Sequence, residues 1–395
     1  MPCPQSLRPT WAEINLDNLI FNLGEFRKKL KKSVKIMSVV KADGYGHGAV
    51  QVARVAVENG SDYLGVGFLD EGVELRKADI DAPILILGYT SPEQAEDLLR
   101  YRLIPTVFSM DLVSALAGEA RRRGERARVH VKVDTGMSRL GIFSWEEAAE
   151  FVEELNRIPA VEVEGLYTHF ATADERDKSF ALYQLARFEE MVERLSKRGI
   201  EIPLKHAANS AAAIDLVQTH LDMIRLGISL YGLYPSQEVK KTGVDLKPVM
   251  SLKTKVIHLK KVPPGTGVSY GRTFVTEHES WLATLPLGYG DGYSRLLTGK
   301  ARVLIKGRRY PVAGRICMDQ MVVDMGKEDP DIEAGEEVVV IGEQGSDAIT
   351  ADEVAHWLGT INYEVTCAVN KRVPRIYIQN NEIKSIKTLL GKVEI

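Results

Sequence analysis

Residues 34–48 read VKIMSVVKADGYGHG, an apolar run that ends at Lys41 and is followed at once by three glycines. The run has the length and the β-branched content of a buried strand. A lysine at a strand end usually extends its charge into water along an apolar stem. A buried amine at the same place is suited to covalent chemistry instead. Taken alone, the stretch leaves both interpretations of Lys41 open.

Seven further runs of the same kind follow in the first 235 residues, and a helical pattern separates each from the next. Eight alternations of strand and helix predict a parallel (β/α)8 barrel of the TIM type, with an open doubly wound sheet as the alternative. The predicted strands are 34–40, 63–67, 83–88, 103–108, 127–133, 161–168, 202–207 and 222–227.

The pattern changes from about residue 240. Alternating or β-branched runs such as VMSLKTKVIHLKKV (249–262) and EEVVVIG (336–342) are interrupted by glycine and proline turns, and one late helix is expected at TADEVAHWLG (350–359). The predicted fold class is therefore α/β. A (β/α)8 barrel domain over residues 1–240 is followed by a mostly β C-terminal domain over residues 241–395.

Composition restricts the class of protein. The chain has 395 residues, 27% of them charged, and a formal net charge of −3, which favours neither a nucleic-acid partner nor a membrane surface. It has no apolar run of the roughly 18–20 residues that span a bilayer. The N-terminal MPCPQSLRPTWAEI has no apolar segment of the signal-peptide type, and Cys3, Cys317 and Cys367 are too scattered for a disulfide framework or a zinc site. We expect a cytoplasmic, reduced protein without a bound metal ion.

Polar side chains with catalytic potential collect at one predicted rim of the barrel. Active sites of this fold lie at the C-terminal ends of the strands. Each residue alone has an ordinary explanation, such as an internal ion pair between Lys132 and Asp134 or core histidines with satisfied hydrogen bonds. Their shared rim predicts a site instead. The residues concerned are Lys41, Lys132, Asp134, Arg139, His169, His206, Asn209, Ser210 and Arg225.

The last two barrel loops, HAANSAAA (206–213) and RLGISLYG (225–232), lie where such barrels commonly bind phosphate. Ser210 offers donors at a helix start, and Gly227 lets backbone amides approach an anion closely. A plain helix start explains Asn209 and Ser210 equally well. A phosphate site beside a lysine indicates a phosphorylated carbonyl compound. Either a sugar phosphate or pyridoxal phosphate fits, and the residues alone do not separate the two.

Nine motifs in order resemble the alanine racemases, which are pyridoxal-phosphate enzymes with a barrel and a β domain, over nearly the whole chain. The resemblance implies an isomerase that interconverts L- and D-alanine and supplies D-alanine for peptidoglycan. The lysine motif often has NA where this chain has Asp43 and Gly44, but Lys41 and Tyr45 are retained. The motifs are VVKADGYGHG, HVKVDTGMSRLG, THFATAD, HAANSAA, RLGISLYG, GVSYGRTF, LPLGYGDGYSR, GRICMDQMVVD and INYEVTCAVNKRVPR.

The resemblance implies a two-base reaction in a homodimer. Lys41 would bind pyridoxal 5'-phosphate covalently and, once the substrate has displaced it, act as a base on one face of the α-carbon. Tyr270 of GVSYGR, from the other subunit, would act on the opposite face with His169 as its proton partner. Arg225 would face the pyridine nitrogen. Because arginine keeps its proton, the ring stays a weaker electron sink, which favours racemisation over transamination.

The family's remaining site residues also have counterparts here. Lys132 matches a lysine that is often carbamylated, a change that would make it an anion able to hold Arg139. Tyr289 and Tyr363 would line the entrance and favour a methyl side chain in the substrate. The implied cofactor-binding residues are Lys41, Tyr45, Arg139, His169, Asn209, Ser210, Arg225, Gly227, Ile228 and Tyr363, and the implied substrate-binding residues are Arg139, Met318 and Tyr289.

Three alternatives are open at this point. A racemase of serine, lysine or several amino acids would share every motif. A non-catalytic pyridoxal-phosphate carrier resembles only the barrel half, so the second domain with Tyr270 and Met318 argues against it. A related decarboxylase needs a protonated pyridine nitrogen, which Arg225 opposes.

Overall fold

The computed structural model describes residues 7–241, 243–328 and 331–394 of the chain. They form two compact units. One is Leu19–Lys247, and the other joins the residues up to Asn18 to those from Pro248 onward. Cys3 lies outside the described residues. Of the cysteines considered above, Cys317 and Cys367 are described; Cys317 is partly exposed and Cys367 is exposed.

The first part of the chain alternates strands and helices as far as residue 226. The strands are β1 (Thr10–Asn15), β2 (Lys35–Val39), β3 (Tyr63–Val66), β4 (Ile84–Ile86), β5 (Ile104–Val107), β6 (Ala127–Lys132), β7 (Val161–Tyr167), β8 (Leu204–His206) and β9 (Met223–Leu226). The helices are α1 (Leu16–Lys29), α2 (Lys41–Tyr45), α3 (Ala49–Glu58), α4 (Leu69–Lys77), α5 (Ala95–Arg100), α6 (Met110–Arg123), α7 (Trp145–Asn156), α8 (Ser179–Lys197) and α9 (Ser210–Asp215).

Eight of these strands form the barrel. Their order is β8-β7-β6-β5-β4-β3-β2-β9, and every paired neighbour is parallel. Backbone hydrogen bonds from Asp222 N to Lys205 O and from Arg225 N to Ala208 O, both 3.0 Å, join the two remaining edges. The prediction of an eight-stranded parallel barrel is confirmed, and each strand lies within a predicted run.

The barrel closes around apolar side chains. One buried cluster takes a single residue from each of six strands, an arrangement expected where alternate positions of a closed sheet point inward. Its members are Met37, Tyr63, Leu85, Ile104, Leu204 and Met223. Burial on both faces explains why these strands read as continuous apolar runs in the sequence.

The second unit is mostly β, as predicted. Its strands are β10 (Met250–Lys255), β11 (His258–Val262), β12 (Gly267–Val268), β13 (Phe274–Val275), β14 (Ser280–Leu285), β15 (Arg302–Ile305), β16 (Arg308–Ala313), β17 (Met321–Gly326), β18 (Glu337–Gln344), β19 (Asp347–Ile349), β20 (Arg375–Gln379), β21 (Glu382–Thr388) and β22 (Gly391–Glu394). Its helices are α10 (Ala351–Leu358), which is the predicted late helix, and α11 (Asn362–Cys367). The long sheet runs β11-β14-β17-β16-β15-β18-β10-β1-β20-β21-β22.

The N-terminal strand belongs to a different unit from the one expected, since the predicted division placed residues 1–240 together. In the structure, β1 lies inside the second unit's sheet. It pairs antiparallel with β10, with Ala12 opposite Leu252, and parallel with β20, with Ala12 opposite Arg375. Pairing on both edges and the burial of Trp11 and Ile14 make this segment a central strand of the second unit's sheet.

Two kinds of feature are absent from the described residues. None of the described helices has both the length and the apolar character required to cross a membrane. The same residues contain no group of three or more His, Cys, Asp or Glu side chains placed to hold a metal ion.

Candidate active site

Lys41 stands where β2 ends, directly after the buried Val40, and its side chain is exposed. The backbone that follows passes through four consecutive residues, 42–45, with φ between 52° and 63°. Ala42, Asp43 and Tyr45 therefore adopt the left-handed conformation without being glycine, at a cost of about 1–2 kcal/mol each. Backbone strain of this kind persists only where the surroundings enforce it, and it is concentrated at functional sites.

Several hydrogen bonds hold this left-handed turn. Gly44 N donates to Val40 O at 2.8 Å, and Gly48 N donates to Asp43 O at 2.7 Å. The Asp43 carboxylate accepts from Ala49 N at 3.1 Å and so ties the turn to the start of α3. A Cβ on Gly44 would lie 3.2 Å from Ala49 N, a tight contact. Asp43 and Gly44, where the motif departs from its usual form, thus fit the turn.

The turn carries Tyr45 to the last two barrel loops. Ser210 Oγ accepts from Gly227 N at 3.0 Å and from Ser229 N at 3.4 Å. A Cβ on Gly227 would lie 2.7 Å from the Tyr45 hydroxyl and 3.9 Å from Ser210 Oγ, so only glycine permits this approach. The hydroxyls of Tyr45 and Ser210 therefore meet at the backbone of the loop after β9, a grouping of donors suited to a phosphate group. Ile228 lies between the two amides.

Asn209 precedes this cluster and begins α9. Its side-chain oxygen accepts from Ala212 N at 3.0 Å, which makes it the N-cap of the helix. The helix-start explanation of Asn209 is therefore correct for its side chain. Ser210, by contrast, directs its hydroxyl to the β9 loop, so the two adjacent residues have separate roles.

Arg225 ends β9 and is almost fully buried, with 3% of its surface exposed. Its guanidinium donates to Thr168 O at 2.8 Å and Ala207 O at 2.9 Å. It also approaches His206 Nδ1 at 3.0 Å and His169 Nδ1 at 3.2 Å. Burial lowers the pKa of Arg225 to about 10, so the group remains protonated at neutral pH.

The contact with Arg225 fixes the tautomer of His169. Arginine only donates, so His169 Nδ1 must accept and the ring proton must lie on Nε2. Desolvation, reinforced by the charges of Arg225 and Lys132, lowers the pKa of His169 well below its usual value. His169 is thus a neutral imidazole that presents an Nε2 hydrogen-bond donor.

A chain of buried polar groups leads from Arg225 into the barrel. His206 Nδ1 accepts from Arg225, so its Nε2 donates to His130 Nδ1 at 2.9 Å, and His130 Nε2 then donates to Glu164 at 3.2 Å. Burial, reinforced by Arg225, lowers the pKa of His206 well below its usual value. Every hydrogen bond in this chain therefore points away from Arg225.

His130 and Glu164 were missed by the sequence reasoning. Glu164 also accepts from the Tyr63 hydroxyl and from Arg128, both at 3.1 Å. Burial opposes ionisation of Glu164, but the hydrogen bond from His130 and the nearby charges lower its pKa. A usable signal was the spacing of His130 and Lys132, because residues two apart in a strand share one face.

Lys132 is buried at the end of β6, with 5% of its surface exposed. Its Nζ lies 5.0 Å from the centre of the Tyr167 ring and donates to Val133 O at 3.2 Å. Burial first, and then the charge of Arg225, lower the pKa of Lys132 to about 7. At neutral pH a large fraction of this amine is therefore uncharged and nucleophilic.

Asp134 belongs to the loop after β6. Its carboxylate accepts from Gly136 N at 2.9 Å and Ser138 N at 3.1 Å. Burial opposes ionisation, but these amides and then Lys132 lower the pKa of Asp134. The ion pairs of the described residues do not include one between Lys132 and Asp134. Asp134 instead shapes the loop that presents the exposed Arg139.

The second unit carries the other four predicted residues on loops and on α11. Tyr270 is 68% exposed in the turn between β12 and β13, and Met318 is 53% exposed. Tyr289 N donates to Cys317 O at 3.0 Å, which places the loops of Tyr289 and Met318 side by side. Tyr363 is partly exposed on α11.

A buried carboxylate that the sequence reasoning missed anchors these loops. Asp291 is fully buried and accepts from Arg8 Nη2 at 2.8 Å and from Gly288 N at 3.0 Å. Arg372 Nε lies 2.9 Å from the same carboxylate, and its Nη2 donates to Asp319 at 2.5 Å. One ionic cluster therefore connects the Tyr289 loop to the residue after Met318.

Comparison with known proteins agrees with this architecture. The family model "Alanine racemase, N-terminal domain" matches residues 14–235, and "Alanine racemase, C-terminal domain" matches residues 249–377. An alanine racemase of Clostridium novyi is 47% identical over 97% of this chain and 99% of its own length. The structure of an alanine racemase from Clostridium difficile 630 has a TM-score of 0.93 and 45% identity, covering 97% of this chain and 99% of that chain.

A histidine racemase from Leuconostoc mesenteroides is also similar in structure. Its TM-score is 0.86 with 26% identity, covering 95% of this chain and 99% of that chain. The architecture alone therefore does not fix the amino acid that is bound. Identity near half over almost the full length, together with both domain models, shows that this chain belongs to the alanine racemase family.

Proposed function

We propose that this chain interconverts L- and D-alanine with pyridoxal 5'-phosphate, and that Lys41 and Tyr270 are its two bases. The observation that carries the proposal is the barrel rim. At this rim, the turn that begins at Lys41 brings Tyr45 close to Gly227, whose amide donates to the Ser210 hydroxyl. The similarity to alanine racemases of other organisms supports the choice of alanine as substrate.

The residues present fit the proposed cofactor. The hydroxyls of Ser210 and Tyr45 and the Ile228 amide would supply donors for a phosphate dianion, while the Gly227 and Ser229 amides hold Ser210 Oγ in place and Asn209 caps the following helix. Lys41 would supply the primary amine that condenses with the cofactor's aldehyde, whose oxygen leaves as water. When bound, pyridoxal phosphate supplies an electron-withdrawing ring that makes the α-hydrogen of the attached amino acid acidic.

Arg225 then sets the type of reaction. Its guanidinium, with a pKa of about 10, would donate a hydrogen bond to the pyridine nitrogen and keep its own proton at neutral pH. Arg225 would thus leave the ring nitrogen unprotonated, and less charge would be withdrawn from the α-carbon. Rapid return of a proton to that carbon is favoured over transamination or decarboxylation.

Racemisation needs proton transfer on both faces of the α-carbon. Lys41 Nζ removes or returns the proton on one face, and Tyr270 Oη does so on the other. A tyrosine that removes a proton has to act as its phenolate, and a hydrogen-bond donor at its oxygen stabilises that form. His169, which carries its proton on Nε2, supplies such a donor when Tyr270 approaches it.

The exposure of Tyr270 supports a homodimer with shared active sites. We infer that the β domain of one subunit, residues 241–395 in the predicted division, delivers Tyr270 and Met318 to the barrel of the other. In that arrangement the Met318 backbone amide binds the substrate carboxylate. Tyr289 and Tyr363 line the entrance and restrict the substrate's side chain to about the size of a methyl group.

Lys132 and Arg139 complete the substrate site in this proposal. An amine with a pKa of about 7 is uncharged often enough to take up carbon dioxide as a carbamate. The resulting anion attracts the Arg139 guanidinium and holds it toward the substrate carboxylate and the cofactor's phenolic oxygen. We further infer that the enzyme acts in the cytoplasm and supplies D-alanine for peptidoglycan.

Exchange of the α-hydrogen in D2O tests the proposal. Each enantiomer of alanine should gain deuterium and form its mirror image, whereas Tyr270→Phe should lose interconversion and keep the visible absorbance of bound cofactor. Borohydride should remove that absorbance in the wild type, and Lys41→Ala should lack it. Faster interconversion of serine or lysine than of alanine would favour the alternative racemase, and a decarboxylated amine as the product would refute racemisation.

A further inference from the structure

The Glu71 carboxylate joins the ends of two neighbouring barrel strands. Its Oε1 accepts from Ala42 N and its Oε2 accepts from Gly67 N, both at 2.6 Å. A Cβ built on Gly67 would lie 3.2 Å from Glu71 Oε2 and 3.7 Å from Lys41 Cβ. Glu71, Gly67 and the stem of Lys41 therefore pack around one point at the C-terminal ends of β2 and β3.

The two hydrogen bonds of Glu71 have different structural roles. Gly67 lies just before α4, so a bond from its amide to a side chain in the first turn is a local helix-start interaction. Ala42 is 29 residues away in the sequence, so its bond to Glu71 cannot serve the start of α4. Ala42 N is also the first amide after Lys41, and it opens the left-handed turn.

We propose that Glu71 is a positioning residue for Lys41, an inference that rests on the function proposed above. Ala42 N belongs to the peptide unit that follows the Lys41 α-carbon, so fixing that amide fixes the direction in which the Lys41 side chain leaves the backbone. A carboxylate that accepts two amides makes short, charge-assisted hydrogen bonds. Glu71 holds the strained turn so that Lys41 Nζ reaches the α-carbon of the substrate at a constant distance.

Glu71→Gln tests this role, because it preserves the shape but leaves only one acceptor for two amides. Asp70→Asn is the matched control, since it removes the same charge from the same first turn of α4 at an exposed position. We expect Glu71→Gln to lower kcat about ten-fold or more, as loss of a charge-assisted hydrogen bond implies, with a smaller change in KM. Asp70→Asn should match the wild type.

Isotope effects separate a positioning role from general damage. With α-deuterated alanine in H2O, slowing of the Lys41 step raises the kinetic isotope effect for the enantiomer whose α-hydrogen faces Lys41. The isotope effect for the other enantiomer should not rise, because there the label is removed by Tyr270. A substitution that only destabilises the enzyme changes neither of the two isotope effects. Glu71→Asp, which keeps the charge but is one methylene shorter, should give a smaller effect of the same kind and serves if Glu71→Gln does not fold.

Amide hydrogen exchange in the cofactor-free protein gives a readout independent of activity. Segment 38–48 should exchange faster in Glu71→Gln than in Asp70→Asn. Isotope effects that change equally for both enantiomers, or exchange rates equal to the control, would overturn the proposal. If wild-type protein fails to exchange the α-hydrogen of any amino acid, the function proposed above fails, and amide exchange alone then decides whether Glu71 fixes the turn.

Discussion

Gly227→Ala is expected to damage the phosphate cradle through one defined contact. The new Cβ would lie 2.7 Å from the Tyr45 hydroxyl, which has to retreat by about 0.7 Å to reach an ordinary 3.4 Å contact. A hydroxyl displaced by that distance loses its hydrogen bond to a charged phosphate, worth about 1.5–3 kcal/mol. The expected result is a dissociation constant for pyridoxal phosphate that is about ten- to a hundred-fold higher.

The assay is a titration of cofactor-free protein with pyridoxal phosphate, followed by the absorbance of the bound form. Gly118→Ala is the control, since a Cβ on Gly118 meets nothing within 4 Å and the residue lies in the interior of α6. Glycine in a helix is about 0.5–1 kcal/mol less favourable than alanine, so this variant should gain stability and keep its affinity. A loss of affinity there would show that the assay responds to unrelated changes.

A double variant then isolates the contact itself. Tyr45→Phe removes the hydroxyl, and the next nearest atom, the ring carbon Cζ, lies at an ordinary 3.4 Å from the new Cβ. In the phenylalanine background, Gly227→Ala should therefore add little to the loss already caused by Tyr45→Phe. If Gly227→Ala weakens binding equally in both backgrounds, the steric reasoning is refuted and the substitution acts elsewhere in the loop.

Two further predictions concern Lys132 and Asp291. With 13C-labelled bicarbonate, the wild type should give a carbamate signal that grows from pH 6 to pH 8, since protonation below the pKa of about 7 removes the nucleophilic amine. Lys132→Gln should give no carbamate signal. A signal that persists in Lys132→Gln would belong to another amine. Asp291→Ala should lower the free energy of unfolding by urea by about 2–4 kcal/mol, since Arg8 and Arg372 lose their shared buried carboxylate. Asp319→Ala, whose carboxylate is 58% exposed, should cost less than about 1 kcal/mol, and equal losses would contradict the anchoring role of Asp291.

The barrel was predictable because its signals are local. Each strand is a short apolar run bounded by a helix, so the first prediction, 34–40, differs from the observed Lys35–Val39 by only one residue at each end. The strand β1 was not predictable in this way. Six residues carry little periodicity, and the partners of β1 lie more than 200 residues away in β10 and β20. Only the folded sheet reveals that pairing.

Parts of the candidate site were predictable for a similar reason. Lys41 follows β2 and Arg225 lies at the C-terminal end of β9, and parallel strands bring these ends to one rim. The glycines after Lys41 indicated an unusual backbone, but nothing in Ala42 or Asp43 announces a left-handed conformation. Glu71 lies in an ordinary helical pattern, so its bridge to Ala42 depends on where the two loops meet in space.

The polar chain behind Arg225 shows how distant residues fix the charge that faces the proposed cofactor. It begins at a group that only donates and ends at Glu164, which accepts, so the two histidines between them are each held in one tautomer. The pKa of His206, far below its usual value, prevents the Arg225 proton from moving inward. Arg128 and Tyr63 hold Glu164 ionised at the far end. Arg225 therefore remains a fixed cationic donor, and the chemistry assigned to it depends on a buried chain of residues that extends from it to Glu164.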